Sequence, residues 1–564
     1  MRRVSVALGT VFVFYAFLVP AASAEGPSRA GLALRAAPVE AMAAAILAEP
    51  DALEALEAYN LAGNVPTQNG FPRVLVNARE VRLSAADLLR PTPFSLAGGV
   101  VTRSDHALVW SGEVRVDGAH ALRLHLGQVA LPAGARVWSY TPEGNATVAY
   151  LAGLAGSDEL WTGLAHGESL WLEVEVPAAA LRAGAEARFT LNRVLELVAL
   201  DPEGRPVVGP GVHAKSDHCS VDVHCAAETF PKEVARIKEA VARIFFVKND
   251  SGFICSGGLL EDTDPNTDRA LFLTANHCIP DEQIAASVVS FFRLWHVACG
   301  SSEQNEPDRV DGAKLLATFP DSDSSLLELA GLPPNPKLLP VDGDAAGSAE
   351  GTIIDDVSLP GGHLQVFSRH RIVPECSGPN AFSGTTLFGN VRPGSSGSLA
   401  VNDKGKVVGQ LGGVCWASGE PDLCSNPDAW AFFGRLSAAF PTFTQFLDPP
   451  DAGFFQSTAF PDFAFKVEIT AGDESRLGKR EAACLPETEC VSGALPGRVE
   501  VLLRIIGPRP NGKLWPTLVK FTTSRVDVWI RQLSTGVEKH YVLEGAGPGE
   551  DELPGLFDRD GFVP

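Results

Sequence analysis

The chain has 564 residues, too many for one compact core, so about three to four domains are expected. Its formal net charge of −22 and pI near 5.0 argue against a nucleic-acid backbone as partner. High glycine and proline counts (55 and 41) with only two methionines speak for turn-rich β structure and against a helical bundle.

Residues 1–24 read as a secretory signal. Arg2 and Arg3 precede an apolar run from Val11 to Val19, and Ala22-Ser23-Ala24 offers small residues for cleavage. The run falls short of the roughly 20 residues that span a bilayer, and no later segment is long and apolar enough to do so. An exported protein, extracellular, periplasmic or at the cell surface, is expected. Its ten cysteines are then free to pair as disulfides.

The Ala- and Leu-rich stretch from 25 to about 60 predicts one or two amphipathic helices broken at Pro50. From about 72 to 200 the pattern alternates, as in Val109–Val116, Ala121–Leu126, Arg136–Tyr140, Thr147–Leu151 and Ser169–Val176. Turns such as Asp117-Gly118 and Glu143-Gly144 separate the runs. A cysteine-free, sandwich-like β domain over 25–212 follows, as a pro-segment or a binding module. Asp201–Gly211 is Pro/Gly-rich and reads as a linker, with Lys215-Ser216 as a candidate processing site or an ordinary exposed lysine.

The segment 213–449 carries the chemistry. Gly394-Ser395-Ser396-Gly397-Ser398 sets a serine between glycines just before an apolar run. Thr274-Ala275-Asn276-His277-Cys278 supplies an imidazole, and Asp323-Ser324-Ser325-Leu326-Leu327-Glu328-Leu329 supplies a carboxylate. A serine hydroxyl needs a base within hydrogen-bond reach and a group that orients the base. His277 suits the base, Ser396 the nucleophile, and Asp323, or Asp321 two residues earlier, the orienting acid. The order His, Asp, Ser is that of the chymotrypsin-type triad, and the wide gaps suit two separate β-barrels. Flanking glycines let the backbone N–H groups of Gly394 and Ser396 turn toward one oxyanion. An α/β-hydrolase esterase conflicts with this order, and no His-Glu-x-x-His motif of a metalloprotease occurs.

These pieces resemble the secreted bacterial trypsin-like serine endopeptidases, and most closely their lysyl endopeptidase branch. The match is carried by Cys219–Cys225, Cys255-Ser256-Gly257-Gly258, Leu273–Cys278, Asp323–Leu329, Gly394–Ser398 and Val408-Gly409-Gln410-Leu411. The resemblance implies a mainly β, chymotrypsin-like double barrel with His277, Asp323 and Ser396 as triad. It implies Cys255–Cys278 and Cys225–Cys299 disulfides. It also implies a bond from Cys219 to Cys424 or Cys415, with Cys376 taking the one left over. Members that cleave after lysine place an Asp where this chain has Ala431, within Ala431-Phe432-Phe433-Gly434-Arg435. Asp428 would substitute only if its loop were remodelled. Asn390, six residues before Ser396, is expected near the pocket floor, with Gly412 and Gly413 alongside. These residues leave the preference before the cut open and speak against lysine or arginine there.

After Pro449-Pro450, residues 450–564 read as a small β domain with strands at Val499–Ile505 and Val526–Arg531. A Cys484–Cys490 loop and an acidic tail over 545–564 accompany them. The expected function is hydrolysis of polypeptides by a monomer that needs no cofactor or metal. The competing reading is a secreted binding protein that uses the barrel as a scaffold.

Overall fold

The computed structural model describes residues 46–48, 51–104, 106–141, 148–151, 159–200, 206–207, 219–361, 364–419, 423–472, 474–482, 484–493, 498–545, 555–558 and 561–563. The expected signal segment and Lys215-Ser216 lie outside these residues. Among the described residues no helix is long and apolar enough to cross a membrane.

Helix α1 (Ala52–Leu61) begins just past Pro50, where Ala, Leu and Glu follow one another in a strong helix-forming run. Of the stretch ahead of it, where a further helix is expected, residues 46–48 are the part described. Ile46–Ala48 forms a strand that pairs with Arg73–Leu75, because the backbone of the next strand offers it an edge. That next strand, β1 (Thr67–Leu83), is 17 residues long and runs beside β5 (Ala187–Leu197). With β3 (Ala121–Ala130), these strands make one layer of a sandwich. The other layer centres on β2 (Ala107–Arg115) and β4 (Ser169–Pro177), paired antiparallel. Apolar faces of both layers meet around Leu83, Trp110, Leu124, Leu172 and Phe189, all essentially inaccessible. Trp110 fits because Gly99 and Gly112 lack side chains. A Cβ on either would sit 2.5 or 2.6 Å from its indole. Burying one large aromatic contributes on the order of 3 kcal/mol.

Two antiparallel barrels follow. The first is built from β6 (Val241–Lys248), β7 (Ser251–Leu259), β8 (Leu271–Ala275), β9 (Val289–Phe292), β10 (Asp308–Asp311), β11 (Ala313–Phe319) and β12 (Ser324–Leu329). The second holds β13 (Ile353–Ser358), β14 (Val366–Val373), β15 (Ala381–Phe388), β16 (Leu399–Asn402), β17 (Val407–Trp416) and β18 (Ala429–Arg435). Leu273 and Leu326 of the first meet Phe367, Leu399 and Val401 of the second, with Leu436, Phe443 and Leu447 of helix α2 (Leu436–Leu447) closing the seam. All ten cysteines pair, as Cys219–Cys424, Cys225–Cys299, Cys255–Cys278, Cys376–Cys415 and Cys484–Cys490.

The first barrel and the first sandwich share one 13-stranded sheet, because β1 adds to the edge of β7. The last region packs two five-stranded sheets around Phe465, Val501, Leu518 and Ile530. Part of its expected acidic tail is folded into it. Gly555–Phe557 pairs with Thr517–Val519, and Phe562 is buried against Phe463, since an aromatic at that point completes the core.

Candidate active site

His277 stands just past the end of β8, and the disulfide to Cys255 on β7 anchors its neighbour Cys278. Closing a loop with a sequence separation of 23 residues is worth roughly 3 kcal/mol in the chain-entropy account. Asp323 sits where a 3₁₀ turn (Pro320–Ser322) meets β12, in a left-handed conformation with φ 52°. This bend aims its carboxylate back at β8. Its Oδ1 accepts from the His277 backbone N–H at 2.8 Å, and its Oδ2 lies 2.7 Å from His277 Nδ1. Both carboxylate oxygens thus serve one residue, which orients the ring and leaves Nδ1 as the protonated nitrogen. The opposite ring nitrogen, Nε2, is buried and has no hydrogen-bond partner among the described residues. Asp321 belongs to the preceding turn and is exposed.

The aspartate is itself held from the second barrel. Gln410 on β17 donates from Nε2 to the carbonyl oxygens of Asp323 (2.6 Å) and Ser322 (3.0 Å), and its Oε1 accepts from Ser324 Oγ at 3.1 Å. Gly412 lies close by, and a Cβ there would stand 3.2 Å from Asp323 Oδ2.

Ser396 lies in the turn before β16. Gly394 and Gly397 both take positive φ, 96° and 87°. The space excludes side chains as well. A Cβ on Gly397 would be 2.3 Å from Ser256 O and 2.8 Å from Ala275 N, two residues from His277. The serine turn therefore presses directly on the strand that ends at the imidazole.

Two peptide planes in this turn are pinned from behind. Pro393 O accepts from Gly361 N at 2.9 Å, and Ser395 O accepts from Ser398 N at 3.0 Å. In a trans peptide the N–H points opposite to the C=O. The N–H groups of Gly394 and Ser396, which complete these two planes, therefore face away from those partners. Ser256, fully buried on β7, ties the arrangement together. Its N–H donates to Ser396 O (2.7 Å), its Oγ donates to Gly394 O (3.1 Å) and accepts from Leu359 N (3.0 Å), and its own carbonyl accepts from Thr274 Oγ1 (2.8 Å). Arg243 holds the 359–361 segment by donating to Pro360 O at 2.8 Å. The sequence pattern assigns no role to Ser256, Gln410 or Gly361. Their signal is three-dimensional, although Ser256 and Gln410 lie inside the quoted motifs.

Beneath the turn, Asp356 on β13 is fully buried and accepts from Ser398 Oγ at 2.7 Å. Burial pushes its carboxyl up to about 7. The Ser398 hydrogen bond opposes that rise, and the neighbouring Asp355 adds to it.

Asn390 is buried, donates from Nδ2 toward Cys424 Sγ at 2.7 Å, and accepts from Val391 N at 2.8 Å. Ala431 points inward from β18 and shares an apolar cluster with Val391, Leu411 and Phe433. Asp428 is no part of this cluster. It is exposed just before β18, where its Oδ2 accepts from Ser418 Oγ at 2.9 Å and its carbonyl accepts from Ala417 N at 2.9 Å. Gly413 faces open space. Among the described residues, Cys255, His277 and Cys278 have potential metal-ligand atoms within 4.8 Å of one another. Both sulfurs are consumed in a disulfide, so no thiolate is left to hold a cation there.

Residues 213–429 match the family model of the lysyl endopeptidase C-terminal domain. A lysyl endopeptidase from Pseudomonas aeruginosa is 26% identical over 309 residues, which make up 51% of this chain and 63% of that protein. The match therefore spans less than two thirds of that relative. Among solved structures, the active form of a protease from M. tuberculosis aligns at 17% identity with a TM-score of 0.27, over 42% of this chain and 93% of that one. A thermostable serine protease from an extremophilic microorganism aligns at 12% identity and 0.26, over 36% and 94%. The central region of this chain is thus similar to lysyl endopeptidases, and its fold is mainly β.

Proposed function

We propose that the chain is a serine endopeptidase in which Ser396 is the nucleophile, His277 the general base and acid, and Asp323 the group that orients it. The observation that carries this reading is the His277 ring. Its Nδ1 is engaged by a carboxylate at 2.7 Å while its Nε2 is buried and free to take a proton. Ser396 Oγ attacks a peptide carbonyl as its proton passes to His277 Nε2. The oxyanion takes hydrogen bonds from Gly394 N–H and Ser396 N–H. The C–N bond then breaks, and the amine leaves with the proton from His277. Water, deprotonated by His277, attacks the acyl ester and frees the acid and Ser396.

Ala431, which stands where the lysine-cleaving members carry an acid, is buried in an apolar cluster, and Asp428 is turned out to solvent. An S1 site without a buried carboxylate does not favour lysine or arginine, so cleavage after uncharged residues is the expected pattern. Export as a polypeptide-cleaving monomer with disulfides, the 25–212, 213–449 and 450–564 domain division, and processing at Lys215-Ser216 complete the reading. The test is labelling by a serine-directed phosphonate, followed by mass-spectrometric mapping of cuts in a denatured protein mixture. Labelling and cuts that vanish in Ser396→Ala are expected. Labelling that survives in Ser396→Ala would overturn the assignment. Cuts after Lys or Arg would overturn the pocket reading.

A further inference from the structure

Strand β7 is divided along its length. Its distal half pairs with β8 through Gly258 and Leu259. Its proximal half, Gly252–Ile254, has β6 on one side, and on the other it receives Thr67, Gln68 and Gly70 of β1. This edge lies beside the proposed chemistry. Ile254 Cδ1 is 3.3 Å from where a Cβ on Gly394 would stand, and the next residue, Cys255, is bonded to the neighbour of His277.

The geometry fixes which side of a scissile bond this edge serves. The departing amine must take its proton from His277, so the residues after the cut lie on the first barrel, toward Cys255 and Ile254. The residue before the cut points the other way, toward Asn390 and Ala431. Direction agrees as well. Thr67 pairs with Ile254, Gln68 with Phe253 and Gly70 with Gly252, so β1 leaves the site as its numbering rises. A departing peptide adding to the same edge as an antiparallel strand would run the same way. The two compete for one row of backbone hydrogen bonds.

The fit is built on both partners. A Cβ on Gly70 would lie 3.3 Å from Gly252 Cα and 2.6 Å from Leu197, and a Cβ on Gly252 would lie 2.7 Å from Leu197. Only paired glycines allow this approach. Leu56, Phe71 and Leu200 cluster with Ile254, and Tyr59 meets the ring of Phe253 edge-on at 6.0 Å. Leu195 and Leu197 pack on Val247, Val289 and Phe291, Arg193 pairs with Asp250, and Arg309 donates to Leu164 O. None of these contacts involves the 208–218 stretch. The residues they touch, from Val247 to Arg309, all belong to the first barrel, and a Cβ on Gly413 of the second would meet nothing within 4 Å.

We propose that the N-terminal sandwich closes only the leaving-group side of the cleft. The intact chain then turns over acyl esters with small leaving groups and refuses polypeptides, and cutting the 208–218 stretch alone does not release it. This rests on Ser396 being the nucleophile.

The test compares the full chain, the full chain cut at 208–218, and full-length Gly70→Val. Each is assayed with a phosphonate, with S-methyl thioesters of acylated single amino acids bearing varied side chains, and with a denatured protein. The first two forms are expected to be labelled and to hydrolyse thioesters while cleaving protein at least tenfold more slowly than Gly70→Val. Thioester rates of all three should agree within about twofold. Tyr59→Ala combined with Arg193→Ala loosens the same contact from outside the shared strand, and is expected to free protein cleavage if Gly70→Val does not fold. Comparable protein cleavage by the intact chain and both variants, with labelling retained, would overturn the proposal and leave the protease reading standing. Absence of labelling and thioester turnover in every form would overturn both.

Discussion

The two β-sandwiches that flank the barrels attach to them by different physics. The N-terminal one contributes a strand to the sheet of the first barrel and buries Leu195, Leu197, Leu200 and Phe71 against it. Prominent in the attachment of the C-terminal one are polar bonds of a single side chain. Asn266 donates to Gly453 O and Gly478 O, both at 3.3 Å, and accepts from Arg480 N at 2.8 Å. Backbone pairing plus apolar burial couples a module to the strand it joins, and that strand carries Ser256 and Cys255. Asn266 lies in the loop that enters β8, at the opposite end of that strand from His277. Proximity in sequence to the catalytic segment is similar for both, so attachment chemistry, and not chain order, sets which module reaches the site.

Four substitutions grade this contrast. Ser396→Ala sets the upper bound, with an expected loss of about a million-fold in kcat, measured with the thioester. A loss below a hundredfold would mean that another group attacks. Asp356→Asn comes next and acts on stability. The folded carboxyl is raised to about 7 from an ordinary 3.8, so the native state holds an extra proton between those values. The wild type therefore loses stability as pH climbs from about 4 through about 7, by a few kcal/mol in all. Asp356→Asn should flatten that slope in thermal melts and leave the protein more stable than wild type at pH 8. Because Asp356 is held by Ser398 within the second barrel, the slope should also be indifferent to Gly70→Val.

Ser256→Ala is expected to lower kcat by about tenfold with KM little changed, since it removes support for the Gly394 peptide and not a direct oxyanion donor. It should weaken peptide-aldehyde inhibitors, which form an oxyanion, in proportion. Equal weakening of a non-covalent product peptide would reduce Ser256 to a packing role. Asn266→Ala is the smallest. It should cost about 1 to 2 kcal/mol in chemical denaturation and leave thioester turnover within twofold. A larger kinetic effect would erase the distinction between the two sandwiches.

Local pattern was enough for much of this protein. Alternation located strands such as Ala121–Ala130 and Ser169–Pro177, because successive side chains of a strand point to opposite faces, although most of both strands is buried. Gly394 and Gly397 announced a strained turn around Ser396, and the residues beside His277 and Asp323 named a chemistry. Other features had no local signal. Ile46–Ala48 lies in a helix-favouring stretch and became a strand once Arg73–Leu75 offered it an edge. Phe562 looked like part of a tail, and its burial depends on a cavity made by strands about a hundred residues earlier.

Composition, periodicity and motif order by themselves determined a β-rich chain with a serine, a histidine and an aspartate in a definite order. Those are properties of single segments, set by backbone sterics and side-chain chemistry within a few residues. Tertiary structure alone decided that both Asp323 oxygens serve His277, that Ser256 and Gly361 brace the serine turn, that Asp428 faces solvent, and that Thr67–Gly70 lines the edge of Ile254. Each of these joins atoms far apart along the chain, and only the closing of the sheets sets such distances.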